Sequence, residues 1–120
     1  MLAMLPEDWK FIRAFREVLD GYIGGTIRSE HIAITRFKEL APGHQDKDYR
    51  QAFNAIIEIA KLARKTISDF FKSQPTECRD WDYSKIDYEG CIEEMDKVIP
   101  NYERNLKMGA INYTLQLALR

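Results

Sequence analysis

Cys78 and Cys91 bracket the stretch CRDWDYSKIDYEGC, in which thiols, carboxylates and aromatic rings crowd together. Thiolates beside carboxylates suggest metal chemistry, but a structural zinc takes four sulfur or nitrogen ligands. The chain has two cysteines, with His31 and His44 far off and without ligand spacing. The expectation is no metal and no cofactor, with Cys91 a small buried thiol on an apolar helix face. A Cys78–Cys91 clasp is within reach, but a chain of 120 residues builds its core without one. Carboxylate pairs at i, i+3 occur at Glu17–Asp20 and Glu93–Asp96, each on one helical face. Such pairs hold Mg²⁺ in some all-α hydrolases, but no Glu-x-x-Glu accompanies them here. No Glu-x-x-His, G-x-S-x-G, H-E-x-x-H or Gly-rich phosphate loop with Lys is present either. The chain is expected not to be an enzyme.

Calcium chemistry has two half-matches. With Asp80 as the first ligand, Asp82 and Ser84 fall at positions 3 and 5, but Lys85 and Cys91 occupy positions 6 and 12. Shifting by one residue puts Ile86 at the aliphatic position 8, and then Arg79, Trp81 and Tyr83 fill the first ligand positions. In DGYIGGTIRSEH, Asp20, Gly25 and Ile27 suit positions 1, 6 and 8, while Tyr22, Gly24 and His31 do not suit 3, 5 and 12. These two segments are similar to the back halves of EF-hand loops. The resemblance implies a degenerate, paired helix–loop–helix lobe that binds a partner helix without calcium.

The net charge of −1 gives no global field for nucleic acid. Its distribution is uneven: residues 77–96 carry eight acids against Arg79 and Lys85, and the rest of the chain is correspondingly basic. Intramolecular pairing with the basic third helix is one expectation, and steering of a basic protein partner is the other. Trp81, Tyr83 and Tyr88 lie among these acids, and Trp and Tyr anchor interfaces because they bury large areas while keeping a polar handle. Asp80, Trp81, Asp82, Tyr83, Tyr88 and Glu89 are therefore the expected partner-binding residues. Against this stands a structural reading, in which Trp81 folds back to cap the end of the bundle. Lys61, Arg64, Lys65 and Lys72 are the alternative, nucleic-acid-binding set.

Helices must position all of these groups. Pro6-Glu7-Asp8 reads as the first turn of a helix whose apolar stripe is Ile12, Phe15, Leu19 and Tyr22, widened by Trp9, Phe11, Val18 and Ile23, up to a stop at Gly24–Gly25. A second helix is expected from about Ser29 to Ala41, ended by Pro42–Gly43. The third, spanning about 46–72, carries Tyr49, Phe53, Ile56, Ala60, Ala63, Ile67 and Phe70 in a 4-3 rhythm. Ile59, Leu62 and Phe71 flank that seam, so the helix is expected to be central. Ser84, with Asp87 three residues on, suggests the cap of a fourth helix running to Pro100. Asn101 suggests the cap of a fifth, with Leu106, Ile111, Leu115 and Ala118–Leu119 apolar. The expected fold is all-α: one domain over 1–120, a compact bundle of four to five mostly antiparallel helices around a long third helix. Apolar flanks on helix three and the last helix raise homodimerisation as a further option. MLAMLPEDW lacks the form of a signal peptide and no apolar run is long enough to span a bilayer, so a cytoplasmic protein with no membrane partner is expected. The expected role is a non-catalytic adaptor, inhibitor or small subunit docking through 77–96.

Overall fold

The apolar rhythm after Gln45 builds the longest element. In the computed structural model, which describes residues 4–77 and 80–119, helix α3 runs Asp46–Lys72. All seven seam residues, Tyr49 through Phe70, are buried, and so is Ile59, while Leu62 and Phe71 are half-buried against the core. The Gln45 N–H donates to Asp48 Oδ2 at 3.3 Å, which ties down the start of the helix where backbone donors lack partners.

Helices α1 (Trp9–Gly24), α2 (Glu30–Leu40), α4 (Tyr88–Val98) and α5 (Arg104–Ala118) surround α3, and no strand forms among the described residues. The first turns of α1 and α3 meet, so the two helices start at the same end of the bundle. There Phe11 stacks on Tyr49 at 5.9 Å and on Phe37 of α2 at 5.3 Å. Tyr49 Oη donates to Ala41 O at 2.7 Å and accepts from His44 N–H at 3.2 Å, which shapes the α2–α3 turn. The fold is an all-α bundle with a long central helix, as the periodicity predicts.

Two glycines work through their missing side chains. Gly25 takes φ 89°, a left-handed conformation that closes α1, with Thr26 N–H donating to Gly21 O and Gly25 N–H to Tyr22 O. At Gly24, a Cβ would come within 2.8 Å of Tyr113 Oη, so the tip of the Tyr113 side chain on α5 lies against the end of α1 and would shift for a larger residue there.

Several local expectations are corrected. Pro6–Asp8 precede α1 rather than opening it. Asp8 is the cap, with Oδ2 accepting from Phe11 N–H at 3.2 Å. The segment before it is a strap: Leu5 is buried, Pro6 O accepts from Tyr102 Oη at 2.8 Å, and Leu5 O accepts from Asn101 Nδ2 at 2.9 Å. Asn101 therefore binds backward to the N-terminal segment and does not cap α5. Ser84 does not cap α4. Its hydroxyl donates to Asp82 Oδ1 within a separate 3₁₀ turn, Tyr83–Lys85, and Asp87 caps α4 by accepting from Gly90 N–H at 3.0 Å. Trp9 lies outside the apolar stripe and is 66% exposed, because the buried face of α1 passes through Phe11, Ala14, Phe15 and Val18. On α5, Leu106 and Ile111 are buried, but Leu115 is only half-buried and Ala118 and Leu119 face solvent.

Candidate functional site

The end of α3 farthest from the Phe11–Tyr49 contact carries an aromatic shelf. Phe70 and Phe71 supply its base from the last turn of the helix. The chain returns after the Ser73–Pro75 break and lays Trp81 on Phe71 at 5.0 Å and edge-on to Phe70 at 6.1 Å. Tyr83 then packs on Phe70 at 5.6 Å and edge-on to Trp81 at 6.4 Å. Trp81 is half-buried, and its Nε1–H donates to Pro75 O at 2.6 Å. The indole thus caps the end of the bundle, as the structural reading has it. Tyr83 is the outermost ring, 42% exposed.

The two aspartates beside Trp81 face solvent. Asp82 is locally ordered, because it accepts from both the hydroxyl (2.5 Å) and the N–H (3.1 Å) of Ser84. Those bonds hold its carboxyl below the usual range, the hydroxyl contributing most, so it keeps its negative charge into mild acid. Gln74 Oε1 accepts from Asp82 N–H at 2.8 Å, tying the return segment to the end of α3.

The other two expected partner-binding residues sit elsewhere. Tyr88 and Glu89 open α4 and turn toward α5, where Tyr88 Oη donates to Asn112 Oδ1 at 2.8 Å and Glu89 pairs with Arg104. That arginine lowers the Glu89 carboxyl. The structure therefore gathers Asp80, Trp81, Asp82 and Tyr83 on one rim and gives Tyr88 and Glu89 partners on α5.

The acidic segment is partly neutralised by the last helix. Asp96 pairs with Lys107 and Glu89 with Arg104, while Lys97 serves Glu94 within α4. Lys61 and Lys65 pair with Glu58 and Asp69 of α3 itself, and Arg64 lies over the Tyr22 ring at 5.4 Å. Lys72 is exposed at the end of α3. The four cations of the nucleic-acid set are thus spread along α3, and two of them face acids one turn away.

The calcium-like and carboxylate sets resolve into helix ends and ion pairs. Residues 20–24 are the last turn of α1 and 88–91 the first turn of α4, with Ile27 and Ile86 both buried. Glu17 pairs with Arg36, and no cluster of three or more metal-ligating side chains forms among the described residues. Cys91 is a free thiol, buried and pushed up by desolvation, with Thr66 as a hydrogen-bonding neighbour. Cys78 and Arg79 lie outside the described residues.

Sequence reasoning missed Lys107. Only 2% of its side chain reaches solvent, and Nζ bonds Asp96 Oδ1 at 2.5 Å and Tyr102 O at 2.8 Å. A lysine at an apolar i+4 position, eleven residues after an acid, was the signal available in the sequence.

Comparison with protein-family models, curated proteins and solved structures found no significant match to this chain. No helix among the described residues is long and apolar enough to cross a membrane.

Proposed function

We propose that the protein is a non-catalytic interaction module, an adaptor, inhibitor or small subunit of a larger assembly, that docks a basic protein segment on the aromatic shelf. The supporting observation is Tyr83: an exposed ring seated on Phe70 and Trp81 at the end of a rigid helix, with the carboxylates of Asp80 and Asp82 alongside. A ring held by packing loses little freedom on binding, and Arg or Lys is attracted to both the aromatic face and the acids. The proposal shifts weight from Trp81, whose N–H is already bonded to Pro75 O, to Tyr83 and the aspartates. Tyr88 and Glu89 belong to its periphery. A cytoplasmic setting forms part of the same proposal, and the free thiol of Cys91 is compatible with it.

The nucleic-acid alternative draws less support, because Lys61 and Lys65 already have acids one turn away. Of the apolar residues that could pair two copies, Ile59, Leu106 and Ile111 are buried in the core, while Leu62, Phe71 and Leu115 are half-buried and Leu119 is exposed, so homodimerisation draws only partial support. Affinity capture with the wild type and with Asp80→Lys/Tyr83→Ala, followed by mass spectrometry, tests the proposal. A partner retained by the wild type and lost by the double variant is expected. Equal retention by both removes the shelf as the docking site.

A further inference from the structure

A second surface lies at the other end of α3. From Tyr49, beneath Phe11, to Phe70, beneath Tyr83, the helix rises about 30 Å, so this surface is remote from the shelf. Trp9 is the most exposed aromatic ring among the described residues, and it stands at the start of α1 as one wall of a groove of about 260 Å³. Ala14 and Leu40 supply the apolar lining, and Lys10, Arg13 and Glu17 supply the rim.

The charge of that rim follows from how the nearby acids are used. Glu17 is paired with Arg36 at 2.8 Å, Asp8 lies 3.2 Å from His44 Nε2 while capping α1, and Glu7 accepts from Asn101 Nδ2 at 3.1 Å. Lys10 and Arg13 take part in none of the ion pairs among the described residues, and Lys10 Nζ lies 5.8 Å from the Trp9 ring centre. The groove therefore offers an apolar slot with an aromatic wall and two exposed cations, Lys10 beside the Trp9 ring and Arg13, that join no ion pair among the described residues. Its volume is below the roughly 300–1,000 Å³ of small-molecule pockets, and suits one side chain of a peptide.

We infer that the Trp9 groove docks an acidic peptide segment, one apolar side chain entering between Trp9 and Leu40 and flanking carboxylates meeting Lys10 and Arg13. Trp and Arg are the residue types that most often carry interface energy, because they combine large contact area with directed polar groups. The occupant is the charge opposite of the one proposed for the shelf, so the two ends of the molecule read different partners.

The test uses fluorescence anisotropy with labelled nine-residue peptides, each with a central Leu or Phe flanked by Asp and Glu. Control peptides carry Lys in place of the acids, or Ala at the centre. The acidic Leu or Phe peptides are expected to bind at least about tenfold tighter than either control, and Trp9→Ala and Arg13→Glu each to weaken them about tenfold or more. Both positions are exposed, and circular dichroism melts verify that the variants fold. No binding by any acidic peptide overturns the inference. So does binding that survives both substitutions, a preference for phosphatidylserine vesicles over the peptides, or self-association of the chain through this groove.

Discussion

Lys107 Nζ reaches Asp96 Oδ1 from a side chain that is almost wholly buried, while Asp96 itself remains about half exposed. The pair joins the end of α4 to the start of α5, and Tyr102 O accepts a second hydrogen bond from the ammonium. Removing Asp96 leaves a buried ammonium with a carbonyl as its remaining described partner. Asp96→Ala is expected to destabilise the fold by about 2–3 kcal/mol, at the low end for a broken buried pair because water reaches the carboxylate. Lys107→Met keeps the length and removes the charge, and should cost less. Urea unfolding of both variants checks this, and a larger loss for Lys107→Met than for Asp96→Ala contradicts it.

Gly25 isolates a backbone effect. A Cβ placed there meets nothing within 4 Å, so any cost of Gly25→Ala comes from holding alanine at φ 89°. The expected loss is about 1–2 kcal/mol, and Gly25→Asn should lose less, because asparagine tolerates the left-handed region better. Equal stability of Gly25→Ala and wild type in urea melts excludes the left-handed closure of α1.

Asp20 links stability to pH. Desolvation on α1 raises its carboxyl above the ordinary 3.8, with Glu17 adding to the rise and Arg16 opposing it. The folded chain therefore holds this proton more tightly than the unfolded chain, and the group's contribution to stability falls as pH rises through the window above 3.8. Asp20→Asn is expected to raise the melting temperature at neutral pH, with the gain shrinking as the pH falls toward the ordinary carboxylate value. A gain that grows on acidification contradicts the sign.

The two shelf aromatics are expected to respond differently to truncation. Trp81→Ala removes packing from Phe70 and Phe71 and the bond to Pro75 O, so it should destabilise the fold by about 1–3 kcal/mol. Tyr83→Ala should cost about half as much or less, because the ring is the more exposed of the two and no side-chain hydrogen bond of its own is lost among the described residues. Differential scanning calorimetry separates them, and a larger loss for Tyr83→Ala reverses the assignment of Trp81 as cap and Tyr83 as docking ring.

These particulars show where a sequence is legible. The 4-3 spacing from Tyr49 to Phe70 fixes a buried face whatever packs on it, so α3 could be read to within its observed ends. Ser29 and Gly25 act on neighbours a few residues away and were legible for the same reason. Ser84 and Asp87 are both chemically fit to cap α4. The choice falls to Asp82, which binds the Ser84 hydroxyl and leaves Asp87 at the helix start. Trp9 looks like core by composition, yet its exposure depends on which way α1 rolls against α2 and α3. The shelf was half legible. Trp81 and Tyr83 stood out by type, but their seat on Phe70 and Phe71 depends on a chain reversal after Ser73 that no periodicity marks. Lys107 offers only a weak signal in the sequence, a lysine at an apolar position, because its burial rests on Asp96 and Tyr102, which only the α4–α5 turn brings together.

The docking role of the shelf is tested most directly by site-specific photocrosslinking. A photoreactive phenylalanine analogue replaces Tyr83 in one preparation and exposed Thr35 of α2 in another, and each is irradiated in lysate of the native host. A discrete crosslinked protein at position 83, absent at position 35 and lost on adding Asp80→Lys, is the predicted result. Crosslinking at 35 but not at 83, or a product at 83 unaffected by Asp80→Lys, contradicts it.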